Sequence, residues 1–178
     1  MSADPRAADG EAILVTLSAL VMAGPDAPVA APDAADALER LASLNRTVVL
    51  AGDAVAGRRL PEDRDARERW VRAAIGRDVP IEVAPFSAPV WDLHDAAGEA
   101  HAQDAWQGVR SAHGAVWLIT DGRDDVRPAR RAGLRIVFVG PRPAGGPLAA
   151  QADIAARDLA DAVRLLLAQE LFGQVPAA

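Results

Sequence analysis

Residues 116–140 read VWLITDGRDDVRPARRAGLRIVFVG, and this stretch decides the fold. Its unbroken apolar run at 116–119 is typical of a strand that is covered on both faces. Asp121, Asp124 and Asp125 follow, and the short helix that they open ends at Gly133, a residue suited to the C′ position. Residues 134–139 supply a second buried strand. The stretch therefore predicts a strand–helix–strand unit with carboxylates at the carboxyl end of its first strand, the edge where open α/β sheets bind ligands.

The alternation of strands and helices continues before and after this stretch. Apolar runs predict three further strands, at residues 12–17, 47–52 and 81–84. Helices are predicted between them, loops at 23–32, 52–60, 85–98 and 141–147, and a last helix capped by Asp158 with Asp161. Such alternation forms βαβ crossovers, so we predict an α/β fold: a three-layer α/β/α sandwich around a mainly parallel, Rossmann-like sheet. We expect one domain over 11–172, with a flexible N-terminal tail at 1–10 and a C-terminal tail at 173–178.

The composition excludes several classes of function. The chain has 178 residues, a net charge of −6, no cysteine and no lysine. The acidic balance argues against a nucleic-acid or anionic-membrane partner. Without cysteine there is no disulfide, thiolate zinc site or cysteine nucleophile, and without lysine every permanently charged cationic side chain is an arginine. The longest apolar run, 12–24, is shorter than the ~20 residues that span a bilayer. We therefore expect a soluble cytoplasmic domain.

Two segments carry a resemblance to a known family. Residues 120–134, TDGRDDVRPARRAGL, resemble the fourth motif of the haloacid dehalogenase (HAD) superfamily, Gly-Asp-Ser-x-x-Asp before an alanine-rich helix ending in Ala-Gly. Residues 48–59, VVLAGDAVAGRR, are similar to the second-motif region of the small, capless histidinol-phosphate and heptose-bisphosphate phosphatases. The resemblance spans about residues 11–172. It implies a HAD-like fold and a metal-binding role for Asp121 and Asp125.

The resemblance also implies where a phosphatase would hold its reactive groups, and most of those positions differ here. Such phosphatases attack phosphate with an aspartate at the end of the first strand and use a second aspartate, two residues later, as acid and base. The matching positions carry Thr16 and Ser18. The threonine hydroxyl has no nearby candidate base in the sequence, and serine cannot act as the acid and base near neutral pH. Ala51 replaces the phosphate-binding hydroxyl, and His101 is the only cation candidate in the region where the third motif needs Lys or Arg.

These changes favour a domain that has lost phosphatase activity and acts by binding a protein partner or a small anionic ligand. It would need no cofactor and have no confidently assigned catalytic residue. The vestigial ligand site would comprise Thr16, Ser18, Ala51, Gly52, Asp53, Asp121 and Asp125. The alternative is an active Mg²⁺-dependent phosphohydrolase with a rearranged site that uses Asp53, Asp121 or Asp125. The second alternative is a structural subunit of an oligomer or complex, and the sequence leaves homo-oligomers open.

Several of the polar groups also have a purely structural interpretation. Asp121, Asp124 and Asp125 would simply cap the following helix, an interpretation that we favour because the partner carboxylates are missing. The spacing of the three histidines fits no zinc pattern, so we expect them at the surface. Trp91 would suit a protein interface if its loop exposes it. A solvated, salt-bridged helix face is the favoured interpretation, over an anion site, of Arg58, Arg59, Arg64, Arg67 and Arg69.

Overall fold

The computed structural model describes residues 11–24, 26–76, 78–92, 94–140 and 151–172. The predicted tails at 1–10 and 173–178 and the predicted connection at 141–147 lie outside these residues. In the described part of the chain the strands are β1 (Ala12–Thr16), β2 (Val21–Met22), β3 (Val29–Ala30), β4 (Arg46–Ala51), β5 (Ala54–Val55), β6 (Arg58–Arg59), β7 (Glu82–Pro85), β8 (Ala115–Thr120), β9 (Arg135–Val139) and β10 (Ile154–Ala156). The helices are α1 (Leu17–Leu20), α2 (Ala34–Leu44), α3 (Arg64–Ile75), α4 (Ala96–His113), α5 (Arg123–Arg131) and α6 (Leu159–Phe172).

Six strands form one sheet in the order β10-β9-β8-β1-β4-β7, and every neighbouring pair is parallel. The register places Leu14 of β1 between Val48 of β4 and Leu118 of β8. Because neighbouring parallel strands run in the same direction, a crossover segment must carry the chain from the carboxyl end of one strand back to the amino end of the next. The predicted α/β fold with a parallel, Rossmann-like sheet is confirmed.

The central strand β1 is buried on both faces, which explains its unbroken apolar sequence. Ile13 and Val15 pack into a core beneath α2, α3 and α6. Ala12 and Leu14 point to the opposite face, into a second core beneath α4 and α5. Full burial of each large aliphatic side chain contributes about 1.5–3 kcal/mol. The sheet therefore lies between two helical layers, and its packing against both layers fixes the position of the strand ends.

Local signals explain two helix ends. Gly133 adopts a φ of +86° after α5, and the next residue, Leu134, donates its backbone N–H to the Ala129 carbonyl at 3.1 Å. The predicted glycine C′ position is confirmed. At the start of α6, the backbone N–H of Asp161 donates to the Asp158 carboxylate at 2.8 Å. The predicted cap is therefore present, although the Asp161 carboxylate accepts from the backbone N–H of Arg157, at 3.2 Å, rather than from that of Asp158.

Several predicted segments need correction. The second predicted strand lies one residue earlier, at β4. The first strand ends at Thr16, one residue earlier than predicted, and Ser18 lies in the single-turn helix α1. The third predicted strand is shifted by one residue, to β7. The predicted loop at 52–60 contains the β5–β6 hairpin, and neither β10 nor the β2–β3 hairpin was predicted. Strands of two or three residues are too short to show a period of two in hydrophobicity.

Among the residues that the structure describes, no helix combines the length and apolar character required to cross a membrane.

Candidate functional site

The neighbouring strands β8, β1 and β4 end at one edge of the sheet, with Thr120, Thr16 and Ala51 as their last residues. In open α/β sheets this carboxyl edge is where ligands bind. A cavity of about 260 Å³ opens there. Its lining includes hydroxyl, carboxylate and aromatic side chains, among them Thr16, Ser18, Asp53, Phe86, Trp106 and Asp125.

Thr16 and Ser18, the two positions that the resemblance links to attack and proton transfer, lie together at this edge. The Ser18 hydroxyl is 2.5 Å from Asp121 Oδ1 and 3.3 Å from Thr16 Oγ1. Because a hydroxyl has a single proton to donate, the shorter, charge-assisted contact to the carboxylate takes it. Asp121 is therefore held by a hydroxyl partner from α1, across 103 positions of sequence.

Thr120 links Thr16 to the second acid of the motif. The Thr16 hydroxyl donates to Thr120 Oγ1 at 3.4 Å, and Thr120 donates to Asp125 Oδ2 at 2.9 Å. Thr120 Oγ1 also accepts from the backbone N–H of Gly122 at 3.0 Å. Two hydrogen bonds through Thr120 therefore connect the Thr16 hydroxyl to the Asp125 carboxylate, a link that the sequence did not predict. A Cβ at Gly122 would lie 2.3 Å from Asp125 Oδ2, so any larger residue at this position would displace the Asp125 carboxylate.

Asp125 is the titratable group that its surroundings perturb most clearly. The pKa of its carboxyl is raised from 3.8 to about 6, mainly by burial and to a smaller extent by the nearby charges of Asp121 and Asp124. The hydrogen bond from Thr120 acts in the opposite direction and lowers the pKa. A buried carboxyl with a raised pKa in a cleft is a frequent mark of a functional site.

The end of β4 carries no phosphate-binding hydroxyl, because its last residue, Ala51, is fully buried and is not part of the cavity lining. Its carbonyl accepts from Arg67 Nη1 at 3.3 Å. Arg67 Nε donates to the Pro61 carbonyl at 2.8 Å, and Arg67 Nη2 lies 3.6 Å from Asp53 Oδ1. Arg67 is 8% exposed, so its predicted place on a solvated helix face is wrong. The side chain is directed inward to the end of β4, where Ser87 also donates to Asp53 at 2.9 Å.

An aromatic pair contributes the apolar part of the lining. The rings of Phe86 and Trp106 have centroids 4.4 Å apart and are tilted by 52°. Trp106 is fully buried, and its indole Nε1 has no hydrogen-bond partner among the described residues. The sequence predicted a loop at 85–98, which contains Phe86, but it placed neither Phe86 nor Trp106 at the site. The missed signal for Thr120 was its position directly after the predicted buried strand at 116–119.

Trp91 is part of a neighbouring cluster rather than an exposed anchor. Its indole N–H donates to the Asp124 carbonyl at 3.1 Å, and the Arg127 guanidinium lies 5.9 Å from its ring centroid. Both partners belong to the first half of α5. The loop that carries Trp91 is therefore tied to the helix that presents Asp125.

The other cation candidates lie away from the cavity. His101 is exposed on α4 and is not part of the lining. His113 lies at the end of α4, with Nδ1 3.4 Å from Glu82 Oε1 at the start of β7. Arg110 donates to the Ala132 carbonyl at 3.2 Å, beyond the end of α5. The helix that precedes β8 therefore brings no cationic side chain to the site.

The helix-capping interpretation of the acidic turn is wrong. Gly122 is the N-cap residue of α5, and no side chain makes a cap hydrogen bond there. Asp121 and Asp125 instead accept from Ser18 and Thr120. Asp124 and Asp125 do lie in the first turn, where the positive end of the helix dipole favours carboxylates.

The donor set fits Mg²⁺ poorly. This ion requires near-octahedral oxygen coordination at about 2.0–2.1 Å. Within the described ranges, no three Asp, Glu, His or Cys side chains come together in a way that could hold a metal ion. One carboxylate oxygen each of Asp121 and Asp125 is already bonded to a hydroxyl, and the strand end between them offers Thr16 rather than a third acid. The residues present do not form a magnesium site.

The fold places the chain in a known structural class. No protein-family model and no curated protein matches the sequence. Solved structures of HAD-superfamily enzymes do match in three dimensions, with probability 1.00. The chain therefore has a HAD-like fold, as the sequence predicts.

Two of the similar structures are small phosphatases. The D,D-heptose 1,7-bisphosphate phosphatase from B. bronchiseptica, complexed with magnesium and phosphate, has a TM-score of 0.57 and 16% identity, covering 89% of this chain and 99% of that one. The corresponding phosphatase from Burkholderia thailandensis has a TM-score of 0.56 and 17% identity, covering 88% and 98%. The L-2-haloacid dehalogenase from Xanthobacter autotrophicus has a TM-score of 0.51 and 18% identity, covering 79% and 62%. At these identities the likeness concerns the fold.

Proposed function

We propose that this HAD-like domain has lost phosphoryl transfer and binds a small ligand in the cavity at the carboxyl edge of its sheet. The observation that carries the proposal is Thr16 at the end of β1, where the resemblance requires an attacking carboxylate. An aspartate nucleophile is ionised at neutral pH, whereas a threonine hydroxyl needs a base to remove its proton. The hydroxyl here donates to another hydroxyl, that of Thr120, at 3.4 Å.

The second changed position supports the same conclusion. Ser18 stands where a carboxyl would exchange protons with the leaving group, and a serine hydroxyl is far too weak an acid for that role near neutral pH. The 2.5 Å contact from Ser18 also occupies Asp121 Oδ1, which the resemblance implies as a metal ligand. In subtilisin, a serine protease, removal of the nucleophile alone costs about 10⁶ in turnover. The combined replacements should therefore leave no useful phosphatase activity.

The cavity supports a binding role. At about 260 Å³ it lies just below the roughly 300–1,000 Å³ of typical small-molecule pockets. It combines an apolar wall, Phe86 and Trp106, with a few polar groups, which is the usual composition of a ligand site. Trp106 also leaves a buried N–H without a partner among the described residues, a cost that an acceptor on a ligand would remove.

The test is a phosphatase screen with Mg²⁺ on the purified chain and on Asp121→Asn. We expect turnover at the level of a protein-free blank for both proteins. Intact mass after incubation with acetyl phosphate should show no adduct, because no carboxylate stands at the end of β1. Robust turnover that disappears in Asp121→Asn, or a phosphorylated aspartate, would show that phosphoryl transfer survives.

A metal-dependent hydrolase with a rearranged site is the second candidate. The observation that favours it is the Ser18–Asp121 pair, because a carboxylate 2.5 Å from a hydroxyl can accept its proton during an attack. Such an enzyme would bind its ion in the native state alone, so saturating Mg²⁺ should raise the melting temperature measurably. Our leading proposal expects no Mg²⁺-dependent change in melting temperature beyond that caused by an equal ionic strength of NaCl.

A further inference from the structure

The loop that follows β7 forms part of the wall of two neighbouring cavities. Its residues 86–88 line the cavity at the sheet edge. Residues 88–91 line a second cavity, of about 220 Å³, between the loop and helices α4 and α5. Trp106 and Asp125 contribute to the lining of both. The position of residues 86–92, the 86–92 loop, therefore decides how far the two cavities are closed.

Side chains rather than backbone hold this loop in place. Within the described part of the chain, no backbone group of residues 87–91 is hydrogen-bonded to another backbone group. Ser87 donates to Asp53 at 2.9 Å near the start of the loop. Near its end, the indole N–H of Trp91 donates to the Asp124 carbonyl at 3.1 Å. Because a loop with few backbone hydrogen bonds opens at low cost, these side-chain contacts determine how often it does so.

The acceptor of the Trp91 N–H is a carbonyl that α5 leaves without its usual donor. In an α-helix the carbonyl of residue 124 accepts from the backbone N–H of residue 128. Residue 128 is a proline inside the helix, and proline has no backbone N–H. The indole of Trp91 therefore supplies the donor that Pro128 removes. This contact fills a specific gap in the hydrogen bonding of α5.

The Trp91 ring has a second contact on the same helix. The Arg127 guanidinium lies 5.9 Å from the ring centroid, a distance at which a cation and an aromatic ring attract each other. Arg127 is fixed in turn by the buried Glu99 of α4, with Nε 2.7 Å from Glu99 Oε1. The ring therefore lies at a defined position against the two helices that enclose the second cavity.

We infer that Trp91 is the positioning residue that holds the 86–92 loop over the ligand cavity, through the Asp124 carbonyl that Pro128 leaves without a helical donor. When this hydrogen bond breaks, the loop moves away from α5 and opens the cavity, together with the space beneath the loop, to solvent. The inference rests on the proposed binding function for its role: Trp91 controls how often the cavity admits a ligand.

The experiment measures loop opening by hydrogen exchange, followed by NMR at neutral pH in metal-free buffer. The first reporters are the backbone amides of residues 86–88. The second is the indole N–H of Trp106, which is fully buried and has no hydrogen-bond partner among the described residues, so its exchange requires solvent to enter. The variants are Trp91→Phe, Pro128→Ala and the double variant, with Trp70→Phe as the matched control.

Trp91→Phe keeps an aromatic ring and removes only the donor. It should speed the exchange of both reporters about three- to tenfold, the range expected for the loss of one hydrogen bond. Pro128→Ala restores a backbone N–H that competes for the Asp124 carbonyl. In the Pro128→Ala background, Trp91→Phe should therefore change the exchange rates by less than about twofold, and this coupling is specific to the inferred contact.

Trp70→Phe makes the same chemical change on α3, away from the lining of both cavities, and should leave the exchange of both reporters unchanged. The amide of Leu14 in the central strand reports global unfolding. If Trp91→Phe speeds the exchange of Leu14 by the same factor as that of the loop, the role is structural and the inference is overturned. An equal effect of Trp91→Phe with and without Pro128, or an unchanged exchange rate of the Trp106 indole, also overturns it.

These measurements use neither a phosphate ester nor Mg²⁺, so they fail or succeed separately from the proposed function. Unchanged exchange in Trp91→Phe would refute the role of Trp91 and leave the proposed loss of phosphoryl transfer standing. Robust turnover in the phosphatase screen would refute that loss and leave the exchange results as they are.

Discussion

Replacing Asp125 with asparagine should stabilise the protein at alkaline pH and leave its stability nearly unchanged in acid. Burial raises the pKa of this carboxyl from 3.8 to about 6 in the folded state. The folded state therefore holds the proton more tightly than the unfolded chain does. The stability contributed by this group is greatest when both states are protonated, below about pH 3.8, and it falls as the pH rises through 6.

The size of the effect follows from the same values. A difference of roughly two in pKa corresponds to about 3 kcal/mol of unfolding free energy. Asp125 is only partly buried, and solvent reduces this figure, so we expect a gain of about 1–2 kcal/mol for Asp125→Asn at pH 8. The amide oxygen can still accept the hydrogen bond from Thr120, which spans 2.9 Å in the native protein. Urea unfolding at pH 8 and at pH 4.5, in metal-free buffer, measures the difference directly.

Asp124→Asn is the control for this experiment. Asp124 lies in the same first turn of α5 but is exposed, so its replacement removes the same charge without relieving a buried carboxylate. We expect a change within about 0.5 kcal/mol at either pH. An Asp125→Asn protein that gains nothing between pH 4.5 and pH 8, or an equal gain in both variants, would refute the reasoning from burial.

Two further substitutions test how the site is supported. Arg67→Met should lower the unfolding free energy by about 2–3 kcal/mol, because the Ala51 and Pro61 carbonyls lose their buried donor. The control Arg69→Met, on the exposed face of α3, should change the unfolding free energy by less than about 0.5 kcal/mol. Urea unfolding of both variants measures the difference. Gly133→Ala should destabilise by about 1–2 kcal/mol because of its φ of +86°, whereas Gly108→Ala inside α4, where an added Cβ meets nothing within 4 Å, should stabilise by about 0.5–1 kcal/mol. Equal changes in melting temperature for the two glycine variants would contradict this account.

The fold could be predicted because its signals are local. The apolar run of β1 reflects burial on both faces, and the C′ glycine after α5 reflects a backbone angle at one residue. Both signals lie within a few consecutive residues, which is the range over which side-chain periodicity and helix capping act. The short strands β5, β6 and β10 were missed because two or three residues give no period.

The candidate site could be predicted only in part. The resemblance to the HAD motifs placed Thr16, Ala51 and Asp121 together at one edge of the sheet. The hydrogen bonds that occupy them could not be predicted. Ser18 reaches Asp121 across 103 positions and Thr16 reaches Thr120 across 104, and both contacts depend on β8 being the neighbour of β1.

The sequence by itself determined the alternation of helices with five of the six strands of the parallel sheet, and the absence of a carboxylate at the end of the first strand. Only the tertiary structure decided that Arg67 turns inward, that Phe86 contacts Trp106, and that Asp125 is half-buried without a cationic partner among the described residues. The physical reason is that secondary structure responds to neighbours one turn or two residues away. The charge and shape of a cavity depend instead on segments that are distant in the sequence and come together only when the strands pair into the sheet.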